Sequence, residues 1–158
     1  MRIGQGFDVH KLVPGKGMVL GGINIPSKFS IEAYSDGDII LHALSDALLG
    51  AAALGDLGNY FPSTEPEFKN ISSREILKQV ATKIIESGYK IENIDITFVG
   101  EEPKLSNYTK DICQRIGDDL SLNVNQVSCK ATTTDGLGFE GSLLGVSCYA
   151  ITLLSKSP

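Results

Sequence analysis

The segment Ser35-Asp36-Gly37-Asp38-Ile39-Ile40-Leu41-His42-Ala43-Leu44-Ser45-Asp46-Ala47-Leu48-Leu49-Gly50-Ala51 turns a polar connection into the most apolar part of the chain. Asp38 is placed to accept the free amides that open a helix, and the pattern predicts that helix over Ile39 to Leu54. Upstream, Ile3, Gln5, Phe7 and Val9 alternate with Gly4, Gly6, Asp8 and His10, a period of two that reads as a half-buried strand. Met18 to Ile25 reads as a second strand, making an opening hairpin across a loop that holds Pro14, Gly15 and Gly17. Downstream, Gly55, Gly58, Pro62 and Pro66 hold open a connection of about fifteen residues, longer than usual and so a candidate for function. Ser72 with Glu75 forms a capping-box pattern for a helix through Glu86, which Gly88 ends. Ile94 to Val99 reads as a strand, Leu105 to Leu120 as a helix, and Val127 to Thr133 and Leu143 to Leu154 as two further strands.

Strands interleaved with helices, with consecutive strands at both ends, imply an α/β fold of the two-layer, α+β-like kind: a mixed β-sheet with helices packed on one face. The uncovered face then calls for another subunit. At 158 residues the chain is long enough for one cored domain, 1–158. With 42% apolar and 21% charged residues it is neither disordered nor a disulfide scaffold. A formal charge of -5 and the lack of any Lys/Arg run argue against a nucleic-acid partner. The longest apolar stretch, Ala47 to Leu54, is well short of the roughly 18 residues needed to span a membrane, and no leader pattern opens the chain, so a cytoplasmic protein is expected. Cys113, Cys129 and Cys148 are odd in number, lack C-x-x-C spacing and read as reduced, buried thiols.

The chain has two histidines. One stands in Asp8-x-His10, where strand geometry points both side chains to the same face. The other, His42, has Asp38 and Asp46 four residues to either side on the predicted helix, so either carboxylate can hydrogen-bond the imidazole and fix its tautomer. Brought together, Asp8, His10 and His42 supply the donors of a catalytic zinc with an open position. Iron suits the same donors, and a strand-end histidine plus a hydrogen-bonded helix histidine would account for the same residues without metal.

Lys130-Ala131-Thr132-Thr133-Thr134-Asp135-Gly136-Leu137-Gly138-Phe139-Glu140-Gly141 combines three hydroxyls and glycine-permitted amides that can surround phosphate with a hard carboxylate, Asp135, suited to magnesium or manganese. A Thr-rich strand and Gly-rich turn would read the same way. The G-x-G-x-x-G spacing at 136–141 precedes a strand, not a helix, and only 17 residues follow, which removes the dinucleotide reading. Gly100 to Ser106 leaves the carboxyl end of a strand, a favoured ligand position, and Gly55 to Glu65 suits a substrate wall, although both also fit surface turns. No Ser-His-Asp order or G-x-S-x-G elbow supports covalent chemistry.

Gly4-x-Gly6-Phe7-Asp8-Val9-His10, Ser35-Asp36-Gly37-Asp38 with Leu41-His42-Ala43, Asp46-Ala47-Leu48-Leu49-Gly50-Ala51, Gly55-Asp56-x-Gly58 with Phe61-Pro62, Pro103-Lys104 and Lys130-Ala131-Thr132-Thr133-Thr134 occur in that order. Through them the chain resembles the 2-C-methyl-D-erythritol 2,4-cyclodiphosphate synthase family over nearly its whole length. The resemblance implies a homotrimer with active sites between neighbouring subunits. Each would hold zinc through Asp8, His10 and His42, and a second divalent ion, magnesium or manganese, at Asp135. The implied substrate is a small cytidine diphosphate ester of methylerythritol 2-phosphate, whose own 2-phosphate attacks the β-phosphate, giving the cyclic diphosphate and cytidine monophosphate in non-mevalonate isoprenoid biosynthesis.

By the same resemblance Tyr34 and Thr133 are catalytic, with Thr133 stabilising the transition state, and Asp8, Val9, His10, Tyr34 and Ser35 meet the substrate, Ser35 at a phosphate. Asp56, Leu57, Gly58, Phe61, Pro62, Ser63, Thr64 and Glu65 line its sugar part. Gly100, Glu101, Glu102, Pro103, Lys104, Leu105 and Ser106 receive the cytidine diphosphate together with Ala131, Thr132, Thr133, Thr134, Asp135 and Phe139. Four positions depart from the family pattern: Tyr34 replaces a histidine, Ser63 an aspartate, Asp135 a glutamate and Ser142 an arginine. Tyr34 keeps one hydrogen-bond donor but carries no positive charge at neutral pH.

Overall fold

The predicted central helix is α1 (Ile39–Ala52), opened by Asp38, whose side chain accepts from the Leu41 amide at 3.2 Å. It ends two residues earlier than expected, where Ala53 turns left-handed at φ 60°. Every residue of α1 is buried except His42, Asp46, Gly50 and Ala52, as befits a helix covered on nearly all sides. These positions come from a computed structural model that describes residues 1–157; Pro158, the last residue of the expected domain, lies outside the described residues.

Around α1 the chain forms β1 (Arg2–Pro14), β2 (Gly17–Leu20), β3 (Ile23–Pro26) and β4 (Phe29–Ile31), then a single-turn α2 (Leu57–Tyr60), α3 (Ser73–Glu86) and β5 (Tyr89–Val99). It continues with α4 (Thr109–Leu120), β6 (Val127–Thr132), a single-turn α5 (Gly138–Gly141) and β7 (Gly145–Lys156). Five strands make a mixed sheet in the order β4-β1-β7-β5-β6, in which only β5 and β6 run parallel. Helix α1 lies on β1 and β7, α4 on β6, and α3 beside α1.

Three expectations need correction. The strand expected over Met18 to Ile25 is broken by Gly21 and Gly22 at φ 60° and 74° into β2 and β3, which pair only with each other; β1 pairs with β7 and β4 instead of closing an opening hairpin. The capping box at Ser72 does not form: the Ser72 side chain caps nothing, and the Ser73 amide donates to Asp36 Oδ2 at 2.9 Å. A carboxylate from outside the helix is the stronger acceptor for an orphan amide. Third, the helix expected from Leu105 begins at Thr109, after a turn.

The alternation in β1 is real, but its glycine half is the covered one. A Cβ at Gly4 would lie 2.0 Å from the Ala47 carbonyl oxygen, and one at Gly6 1.9 Å from that of Ala43. Absence of side chains there lets α1 press onto the strand. Ile3 (73% exposed), Phe7 (44%) and Val9 (45%) face the other way, beside Tyr149 (46%) and Ile151 (45%) of β7. This bare apolar face agrees with helices on one side of the sheet. The three cysteines are free, with Cys148 fully buried, and burial pushes the Cys129 thiol up to about 12. No helix of the described residues is long and apolar enough to cross a membrane.

Candidate active site

Asp8 and His10 sit on the helix-facing side of β1, and His42 is one of the few polar residues on α1. Because Gly4 and Gly6 allow close packing, the helix delivers His42 onto the strand. Asp8 Oδ2 lies 3.1 Å from His10 Nε2 and 3.1 Å from His42 Nδ1, and the two ring nitrogens are 3.5 Å apart. Four ligands held tetrahedrally at zinc–ligand distances of about 2.05 Å stand about 3.3 Å from one another. The three edges bracket that value, so donor chemistry and spacing both fit the metal. Among the described residues this is the one group of three or more such side chains close enough to hold a cation. Burial works against the Asp8 charge, but hydrogen bonds and charge from His10 and His42 prevail and hold its carboxyl at about 2. Burial likewise opposes charge on His42, yet Asp8 raises its pKa above the ordinary imidazole value.

Neither Asp38 nor Asp46 bonds the His42 ring. Asp38, fully buried, accepts from the amides of Gly21 (2.8 Å), Gly22 (2.7 Å) and Leu41 (3.2 Å), while Asp46 accepts from the Leu57 amide at 2.8 Å. Both therefore position backbone: Asp38 anchors the β2–β3 turn to the start of α1, and Asp46 anchors the segment that carries Leu57. The ring nitrogen turned away from Asp8 meets Ser73 Oγ at 2.9 Å and Ser35 Oγ at 3.3 Å. Sequence reasoning missed Ser73 and gave Asp36 no role, because their contact joins residues 37 apart in the chain. The signal that could have found them is the unassigned carboxylate in Ser35-Asp36-Gly37-Asp38.

Beside the triad lies a cavity of about 200 Å³ lined by His10, Tyr34, Ser35, His42, Leu57, Phe61 and Ser63, all expected, and by Ala33, Phe68, Ile71 and Ile76, which were not. The Tyr34 hydroxyl donates to the Glu65 carbonyl at 3.1 Å. Asp56 caps α2, accepting from the Asn59 amide at 3.2 Å, and Gly58, Pro62, Thr64 and Glu65 do not line this cavity. Val9 turns its side chain to the bare sheet face, with its amide bonded to Asp8 Oδ1 at 2.9 Å.

A second cavity, also about 200 Å³, is lined by Gly100, Pro103, Lys104, Leu105, Ser106, Ala131, Thr132 and Thr133. Glu101, Glu102, Thr134, Asp135 and Phe139 are not in its lining. Asp135 is exposed at φ 57°, its amide donating to Thr133 Oγ1 at 3.3 Å, and the Gly136 amide donates to Glu101 Oε1 at 3.4 Å, joining the two loops. Register links the cavities: Asp8 pairs with Cys148, Cys148 with Phe98, and Phe98 with Ala131. The triad and the threonine loop thus share one row of the sheet, three strand spacings or about 14 Å apart.

The sequence profile of the YgbB family matches residues 1–155. A 2-C-methyl-D-erythritol 2,4-cyclodiphosphate synthase from Ectopseudomonas mendocina (strain ymp) is 47% identical over 157 residues, 99% of this chain and 100% of that protein. Among solved structures, the bifunctional IspDF from Campylobacter jejuni superposes with a TM-score of 0.94 at 39% identity, over 98% of this chain and 42% of that longer one. A CDP complex of IspF from Plasmodium falciparum superposes with a TM-score of 0.88 at 35% identity, covering 99% of this chain and 97% of that one.

Proposed function

This chain belongs to the YgbB family and is an enzyme of the cyclodiphosphate synthase type, and from that premise we propose the reaction and the parts of the site that carry it. The substrate is 4-diphosphocytidyl-2-C-methyl-D-erythritol 2-phosphate. An oxygen of its 2-phosphate attacks the β-phosphorus, the bond from that phosphorus to the bridging oxygen breaks, and cytidine monophosphate leaves with the electron pair. Both reacting groups belong to one molecule, so the protein's main task is orientation and charge stabilisation. The observation that carries this reading is the Asp8–His10–His42 triangle at the edge of a cavity with one apolar and one hydroxyl-bearing wall.

A zinc ion held by Asp8, His10 and His42 would polarise a phosphoryl oxygen. Ser35 offers a hydroxyl next to His42 for a phosphate, and Leu57 and Phe61 exclude water from the sugar side. Asp135 offers a carboxylate to a second divalent ion, magnesium or manganese, and Thr132 and Thr133 with Gly100 to Ser106 take the cytidine diphosphate end. Thr133 provides a hydroxyl donor toward the developing charge, and Tyr34 would add a neutral one on exchanging its Glu65 carbonyl partner for the phosphate. Ser63, in the cavity wall, and Asp56, Gly58, Pro62, Thr64 and Glu65 around it take the sugar part.

The active assembly is a homotrimer in which each site draws on two copies. Support comes from the bare apolar face of β1 and β7, where the Phe7 and Tyr149 rings pack at a 45° tilt with centroids 4.9 Å apart, and from the separation of the two cavities across the sheet. Incubation of pure protein with the cytidylylated substrate, zinc and magnesium should give a cyclic diphosphate by phosphorus NMR, and His42→Ala should abolish it. Release of inorganic phosphate, or turnover unchanged in His42→Ala, would refute the assignment. Sedimentation should give three times the chain mass.

A further inference from the structure

The ring of His42 is held on its far side by a hydrogen-bond relay in which every donor and acceptor can be assigned. Ser73 is the first residue of α3 and is fully buried. Its amide donates to Asp36 Oδ2 at 2.9 Å, and its hydroxyl donates to Asp36 Oδ1. Both Asp36 oxygens act as acceptors, Oδ2 of the Ser73 amide and Oδ1 of the Asp38 amide at 3.2 Å, so the Ser73 hydroxyl proton is committed to Asp36. Ser73 Oγ then has only lone pairs left for His42 Nε2, 2.9 Å away. For that contact to be a hydrogen bond, Nε2 must carry the proton.

A neutral imidazole with its proton on Nε2 has a bare Nδ1, and Nδ1 is the atom 3.1 Å from Asp8 Oδ2 and 3.5 Å from His10 Nε2. We infer that Asp36 and Ser73 are positioning residues that fix the His42 tautomer and so direct its Nδ1 lone pair to the cation site. This rests on the reading that Asp8, His10 and His42 bind a metal. It reassigns to a serine, backed by a carboxylate, the task that sequence spacing had given to Asp38 or Asp46. Ser35 Oγ, at 3.3 Å from Nε2, also accepts from the Gly37 amide at 3.2 Å and is the weaker partner.

Because the chain has two histidines, nitrogen NMR of uniformly labelled protein resolves each ring. In the zinc-loaded parent His42 should show metal on Nδ1 and a proton on Nε2. Ser73→Ala keeps the amide bond to Asp36, so α3 can still start there. It should bind zinc about 10- to 100-fold more weakly in competition with a chromophoric chelator, with His42 in mixed tautomers once the metal is removed at alkaline pH. Asp36→Asn, which retains the serine but not two accepting oxygens, should weaken zinc in the same direction, and it supplies the test if Ser73→Ala does not fold. Zinc on His42 Nε2 in the parent, or parental zinc affinity in whichever variant folds, would overturn the inference while leaving the metal site standing. A parent that takes up no zinc would overturn the metal reading itself, and the inference with it.

Discussion

Gly6→Ala adds one methyl group to the strand that carries Asp8, and its effect can be worked from the contacts it would make. The new Cβ would fall 1.9 Å from the Ala43 carbonyl oxygen, 2.7 Å from the Ala47 nitrogen and 2.9 Å from the Ala43 carbonyl carbon. All three are backbone atoms of α1, so no rotamer change relieves the clash, and strand and helix must part by about 1 Å. His42, next to Ala43, moves with the helix; Asp8, two residues from Gly6, moves with the strand. The displacement therefore falls on the 3.1 Å edge between them. We expect a loss of about 3 kcal/mol, at the upper end for overpacking, and a rate about 100-fold lower, since metal ligands need placement within about 0.2 Å. Gly50→Ala is the control: Gly50 is exposed on the same helix with nothing within 4 Å of its built Cβ, and the change should stabilise by about 1 kcal/mol through helix propensity. Urea midpoints, bound zinc after dialysis and initial rates of cytidine monophosphate release read all three effects. Parental midpoint and zinc content in Gly6→Ala would show that the glycines do not set the distance between strand and helix.

Asp38→Asn should cost about 2 to 3 kcal/mol, because Asn can accept two of the three amides Asp38 serves but turns an NH2 group on the third; an unchanged urea midpoint would count against it. Asp119, whose side chain is 5% exposed, accepts from Arg74 Nε and Nη2 at 2.7 Å each; burial raises its carboxyl, but Arg74 and Lys78 prevail and hold it below the usual range. A folded-state pKa below the unfolded one gives stability that is full above about pH 4 and lost as pH falls further. The gap in stability between parent and Asp119→Asn should therefore narrow from pH 6 to pH 3, and parallel curves would refute it. Ser45→Ala removes a buried hydroxyl that has no hydrogen-bond partner among the described residues, so it should be neutral or stabilise by about 1 kcal/mol; a clear drop in melting temperature would show that the hydroxyl is satisfied.

What was legible in the sequence is what depends on neighbours in the chain. Asp38 before an apolar run marks the start of α1, and Asp8-x-His10 on a strand places two donors on one side. The convergence of His42 on that pair is one of several readings the sequence allows, since no local spacing fixes which helix face meets which strand. Long-range partners decided the remainder. Alternation in β1 cannot say which half is covered, because Gly4 and Gly6 gain their meaning only when Ala43 and Ala47 are seen against them. Ser72-x-x-Glu75 has the right local form for a cap, yet Asp36, 37 residues before Ser73, takes the amide that matters. Met18 to Ile25 has the hydropathy of one strand, but the Gly21-Gly22 turn is stabilised by Asp38, which no window around residue 21 includes.

The acidic residues around His42 raise a question of charge, because a site for a polyphosphate should not itself be strongly negative. Asp36, Asp38 and Asp46 all lie near the helix that presents the histidine, but Asp36 and Asp38 have both oxygens turned onto donors of the protein, the Ser73 amide and hydroxyl and the Gly21, Gly22 and Leu41 amides, and Asp46 has its Oδ1 on the Leu57 amide. Asp8 alone turns an oxygen toward both imidazoles, and its carboxyl is held ionised down to about 2. One carboxylate and two neutral rings around a divalent cation carry a net charge of about +1, which attracts a diphosphate, whereas a second carboxylate ligand would cancel it. The hydrogen bonds that engage the other aspartates keep those oxygens off the cation, so Asp8 is its one carboxylate ligand, while Asp36 and Asp38 still act on His42 through their charge. Releasing Asp46, as Leu57→Pro would by removing the amide proton that Asp46 accepts, should weaken cytidine diphosphate binding more at low salt than at high salt. Equal loss at both ionic strengths would mean that the segment acts by shape and not by charge.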